Sequence, residues 1–135
     1  MPRSEPGAIE RFEDVTAVLA GLLTGSVVGV VGSVFHRSVA GSLPIGVIAA
    51  LAAVLLGAVF MRALAGRGAY AAYAAAVLVM VGAAWLAPDR IVVGEGAGLA
   101  WGIGAVLACA AGALLPRRWF DADEVGLADG VSPAD

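Results

Sequence analysis

Lysine, asparagine and glutamine are absent from these 135 residues, histidine and cysteine occur once each, and 14% of the side chains are charged. Soluble domains carry roughly 25% charged residues. The shortage of charge therefore points away from a soluble protein, and each missing residue type closes off a class of function. A single cysteine, Cys109, forms no intramolecular disulfide and leaves the redox compartment open. Metal catalysis needs three or four suitable ligands, and His36 and Cys109 are the sole imidazole and thiol, one in a gap and one in mid-run. Nucleophilic triads fail for the same lack of partners. No P-loop lysine exists, so the glycine-rich stretch Gly94, Glu95, Gly96, Ala97, Gly98 matches a phosphate loop in glycine content alone and no nucleotide is expected. All eight basic residues are Arg, the net charge is -3, and no basic stripe tracks phosphates, which excludes nucleic acid as a partner. The Arg-only, Ala/Gly/Val-rich composition is what a GC-rich bacterial coding sequence tends to produce.

What the chain has is apolar length. Hydrophobic residues make up 61% of it, gathered in four runs at about 15–35, 43–61, 69–87 and 97–115. About 20 apolar residues in a helix cross a hydrocarbon core about 30 Å thick. The expected fold is an all-α membrane protein of four transmembrane helices arranged as two antiparallel hairpins. Residues 1–14 read as a cytoplasmic lead-in with a frayed terminus, 15–115 as the bundle, and 116–135 as a cytoplasmic, acidic, disordered tail with Gly126, Gly130 and Pro133 breaking any helix. The first run is longer than a signal-peptide core and is preceded by Glu10, Glu13 and Asp14 rather than a basic cluster, so cleavage is not expected. Arg3, Arg11, Arg62, Arg67, Arg117 and Arg118 fall on one side of such a bundle, and Arg37 and Arg90 on the other. The excess of Arg marks the cytoplasmic side, giving an N-in, C-in multi-pass protein of a bacterial inner membrane. Tyr70, Tyr73, Trp119 and Phe120 are expected in the cytoplasmic aromatic belt, and Trp85 and Trp101 in the outer one.

Lipid tails are as apolar as Leu, so helices in a bilayer associate through close packing of small residues and through a few hydrogen bonds. Run one carries Gly21, Gly25, Gly29 and Ser33 at four-residue spacing. Run two carries Ala49, Ala53 and Gly57, and run four pairs Gly98 with Gly102 and aligns Gly104, Ala108 and Gly112. The first stripe is the strongest candidate for a helix-packing interface. It serves either contact inside one bundle or an oligomer or partner interface, and Gly25→Leu should disrupt whichever contact uses it. The hydroxyls of Thr24, Ser26 and Ser33 can bond the carbonyl one turn back. Arg37 to Arg90, Gly57 to Gly112 and Arg62 to Arg117 repeat at 53, 55 and 55 residues, a faint parallel echo between the halves.

One polar constellation is expected, an outer rim where His36 and Arg37 of the first outer loop approach Asp89, Arg90 and Glu95 of the second. It could take an anionic headgroup or a partner loop, or consist of solvated loop charges. Proton- or sodium-coupled carriers use a buried carboxylate, whereas Glu13 and Asp14 stand at the membrane entrance. The order His36 and Arg37, Pro44 with Gly46, Arg62, then Pro88, Asp89 and Arg90, then Gly98 to Gly102 resembles an uncharacterised family of small actinobacterial four-span membrane proteins. That family has no established activity, so the resemblance implies source and architecture and transfers no site residue. The expected function is non-enzymatic. It is an accessory or assembly subunit without cofactor or metal, surrounded by membrane lipids and packing against itself as a homo-oligomer or against a larger membrane-protein complex. The alternative is a small uncoupled channel or carrier formed by an oligomer. A lipid-modifying enzyme is a third reading, and it requires His36, Asp89 and Glu95 to converge.

Overall fold

The computed structural model describes residues 7–38, 44–87 and 96–115, and of Ala8, Ile9 and Glu10 the backbone alone. Four α-helices account for nearly all of it: α1 (Ala8–Phe35), α2 (Ile45–Leu64), α3 (Gly66–Leu86) and α4 (Gly96–Leu114). Each is long and apolar enough to cross a membrane. In lipid no water is available to satisfy backbone polar groups, so a segment of this composition closes its hydrogen bonds within itself as a helix. The expected all-α, four-span architecture is therefore the one observed.

The helix boundaries depart from the apolar runs. Helix α1 starts at Ala8 and so takes in Arg11 through Asp14, where a frayed lead-in was expected. Helices α2 and α3 are separated by Ala65 alone, because Gly66 adopts a positive φ of 79°. Few residues besides glycine enter that region without strain, and it is the usual conformation just past a helix end. Ala65 N–H bonds the Met61 carbonyl at 3.1 Å, closing the last turn of α2. At the start of α2, where the first N–H groups have no partner in the helix, Gly46 N–H donates to the Ser38 carbonyl at 2.8 Å. Pro44 precedes the first helical residue as the N-cap.

Packing is most extensive between alternate helices. Helix α1 lies along α3 with register rising together on both, Gly21 against Ala69, Gly25 against Tyr73 and Ala76, and Gly29 against Val77 and Met80, so the two run parallel. Helix α2 lies along α4 in the same sense, Leu51 against Gly104 and Ala58 against Gly112. The hairpin partners α1 with α2 and α3 with α4 are antiparallel and touch less. A methyl group at Gly21 or Gly25 would run into the backbone carbonyl of Ala69 or Tyr73, so these two positions allow a backbone approach that alanine would block. The centre is apolar and continuous, formed by Ala50, Val54, Ala58 and Met61 of α2, Ala69, Tyr73, Val77 and Val81 of α3, and Trp101, Ala105 and Cys109 of α4. Exposed Leu side chains stand on the outward surface of every helix, joined by Val on α1, α3 and α4, by Phe on α1 and α2 and by Ile on α2 and α4.

Candidate functional site

Polar side chains inside the bundle collect at its two ends. At the end where α1 finishes, Ser33 and His36 are both buried, His36 almost completely. His36 lies one turn beyond Ser33, just past the helix, and its Nδ1 is 2.7 Å from the Ser33 carbonyl oxygen. A carbonyl oxygen only accepts, so Nδ1 carries the proton and donates. The Ser33 hydroxyl is engaged elsewhere, accepting a hydrogen bond from Trp101 Nε1 at 3.3 Å. The imidazole thus bonds the serine's main chain and not its hydroxyl. A nucleophile and base would be joined through the hydroxyl. The arrangement is a tether between α1 and α4, seated where the Trp101 ring fills the space that a side chain at Gly32 would need.

The expected outer rim is corrected in one respect. Arg37 is exposed as expected, but His36 is turned into the protein and is no part of a solvated rim. Asp89, Arg90 and Glu95 lie outside the described residues. So do Arg3, Arg117, Arg118, Trp119, Phe120 and the acidic segment 116–135.

At the opposite end, Arg62 of the last turn of α2 reaches α4. Its Nη1 donates to the carbonyls of Gly112 at 3.2 Å and Ala113 at 2.6 Å. These are among the last carbonyls of α4, which no helical N–H satisfies, and a cation there also opposes the negative end of the helix dipole. The guanidinium lies 5.8 Å from the centroid of the Tyr70 ring, within cation–π range. Tyr70 in turn donates its O–H to the Cys109 carbonyl. Between the two ends, Tyr73 spans the bundle and donates to the Val54 carbonyl at 3.0 Å.

These tethers account for aromatic residues that composition assigned to membrane interfaces. Tyr73 and Trp101 are both 0% exposed, which removes them from any aromatic belt. Glycine provides the reason: Tyr73 fits against Gly57, Trp101 against Gly32 and Trp85 against Gly102. Gly32, Gly57 and Gly102 thus act as sockets for large rings from a neighbouring helix. The sequence shows both glycines and large rings within the apolar runs, but glycines outnumber the rings and nothing in it says which ring enters which socket. Trp85 Nε1 is buried without a hydrogen-bond partner among the described residues.

The stripe Gly21, Gly25, Gly29 is brought together with α3 inside the chain, and Ser33, one step further along, meets α4 instead. Ser26 returns its hydroxyl to the Leu22 carbonyl at 2.8 Å, as a helical serine can. Among the described residues no three of His, Cys, Asp and Glu converge in a group able to hold a metal ion. The arrangement ties helices to one another: Arg62, Tyr70 and Tyr73 donate to carbonyls of a neighbouring helix, and Trp101 donates to the Ser33 hydroxyl. Comparison of the chain with protein-family models, with curated proteins and with solved structures gives no match.

Proposed function

We propose that this protein is a non-enzymatic integral membrane subunit that works through helix contact, as an accessory or assembly component packing against itself or a larger membrane complex. The observation that carries the reading is the nature of the centre. From Val54 through Tyr73 and Val77 to Trp101 and Ala105 it is apolar and closed, and the hydroxyl of Tyr73 and the indole N–H of Trp101 are engaged with the Val54 carbonyl and with Ser33. A conduction path would need polar groups or backbone carbonyls facing a cavity at several depths. The chain also carries a broad apolar surface on all four helices, which is the material of lipid and protein contact in a bilayer. The Arg asymmetry of the sequence supports placing the end with Arg62 and Arg67 on the cytoplasmic side of a bacterial inner membrane.

The test is mild solubilisation of the tagged protein from its native membrane, followed by native-gel mass analysis and identification of what co-purifies at fixed ratio. A stoichiometric assembly, of copies of this chain or with a larger partner, supports the proposal. A monomer free of partners that passes solute across liposomes overturns it in favour of the carrier reading.

A further inference from the structure

Because α1 leans on α3 and α2 on α4, the α1–α2 pair is left with a groove between its members. Its volume is about 400 Å³, and its walls include Val31, Gly32 and Phe35 of α1 and Ile45, Ala49 and Ala53 of α2. The lining is apolar along its length apart from Ser38 at one end. Small residues form the floor, since Gly32 and Ala50 are buried while Ala49 and Ala53 remain open to the groove. On both helices the lining spans eight residue steps, Val27 to Phe35 and Ile45 to Ala53. At about 1.5 Å per residue that is about 12 Å of groove. One leaflet of a bilayer with a hydrocarbon core about 30 Å thick is about 15 Å deep. The groove therefore begins at the helix ends, where a headgroup region meets them, and runs most of the way to the midplane. At its polar end the turn after α1 presents Arg37, exposed and adjacent to Ser38.

We infer that this groove is a binding site for one anionic phospholipid of the adjacent leaflet, with an acyl chain lying between α1 and α2 and its phosphate held by Arg37. The length of the groove, its apolar walls and the position of exposed Arg37 next to Ser38 at its polar end each match that occupant. A helix of a second copy is the poorer match, because every helix here has at least 19 residues, about 28 Å, against about 12 Å of groove. The site is separate from the proposed subunit role and stands or falls without it.

The test uses the full chain in liposomes containing phosphatidylglycerol or phosphatidylcholine that bears a photoactivatable diazirine on one acyl chain, with adducts mapped by mass spectrometry. The phosphatidylglycerol probe is expected to label the groove at least five times more than the exposed α4 positions Leu99 and Leu107. Ala49→Leu should fill the groove and abolish that excess, and Arg37→Gln should equalise the two lipids. Slow maleimide labelling of Cys109 reports that each variant is folded, and Ala53→Leu replaces Ala49→Leu if that variant is not. Even labelling of groove and outer face overturns the inference. So do an excess that survives both groove-filling variants, a phosphatidylglycerol preference that survives Arg37→Gln, and a groove that crosslinks to a second copy in place of lipid.

Discussion

Tyr73 crosses the bundle from α3 and donates its phenolic O–H to the carbonyl of Val54 on α2, 3.0 Å away. The same residue offers its own carbonyl to the close approach of Gly25 on α1, so one position joins three helices. Tyr73→Phe removes the hydrogen bond and keeps the ring. Interhelical hydrogen bonds in membrane proteins average about 0.6 kcal/mol and reach about 1.7 kcal/mol. The expected loss lies in that range, measured by unfolding in mixed detergent micelles.

Gly57 faces the Tyr73 hydroxyl so closely that a methyl group there would collide with it. Gly57→Ala should cost about 1–3 kcal/mol by overpacking. In the Tyr73→Phe background the obstruction is smaller, and the cost should fall by at least about 0.5 kcal/mol, a coupling expected of residues in contact. A double-mutant cycle on unfolding free energies checks it, and strict additivity would show that the two residues do not meet.

Two glycines should respond with opposite signs. Gly25→Leu drives a side chain into the backbone of α3 and should destabilise the bundle by about 3 kcal/mol or prevent its assembly. Gly82 has nothing within 4 Å of where a Cβ would stand. Gly82→Ala should therefore be stabilising, by about 0.5–1 kcal/mol from the helix preference for alanine. Melting of the two variants in the same detergent distinguishes them.

The four spans were legible in the sequence because charge is confined to the gaps, and hydrocarbon length is a direct readout of apolar runs. Which helices pair was not. In a soluble helix an apolar stripe marks the inside, but here Val30 and Leu107 face outward while Val54 and Val77 face inward, so hydrophobicity carries no inside–outside contrast. The stripe of Gly21, Gly25 and Gly29 was readable as a packing face, yet its partner α3 depends on the one-residue turn at Ala65, set by the backbone of Gly66. His36 was misplaced for a similar reason. Its ring folds back to hydrogen-bond the Ser33 carbonyl one turn earlier, and no local pattern announces that.

Arg62 caps α4 from another helix, so its replacement should be felt far along the chain. Arg62→Gln is expected to raise amide hydrogen exchange in the last turn of α4, near Gly112 and Ala113, and to cost about 1 kcal/mol. Arg62→Lys keeps the charge and should fall between the two. Unchanged exchange in that turn with Gln would mean that the cap contributes nothing.

The single thiol is a ready reporter. Cys109 is 4% exposed and packed within the core of α2, α3 and α4. Its reaction with maleimide in detergent should track global unfolding, since core positions become accessible only through the larger openings of a structure. Rapid labelling under conditions where the helices are intact would contradict the packing described.

The proposal that this protein works through its outward helix faces is tested most directly by placing a photo-crosslinking amino acid at exposed positions in the native membrane. Leu23, Leu56, Val79 and Leu107 sample the four helices, each at least 60% exposed. The account predicts a discrete protein adduct of fixed mass from at least one of these faces. Lipid adducts alone from all four positions, in a chain shown to be folded by Cys109 protection, would contradict it.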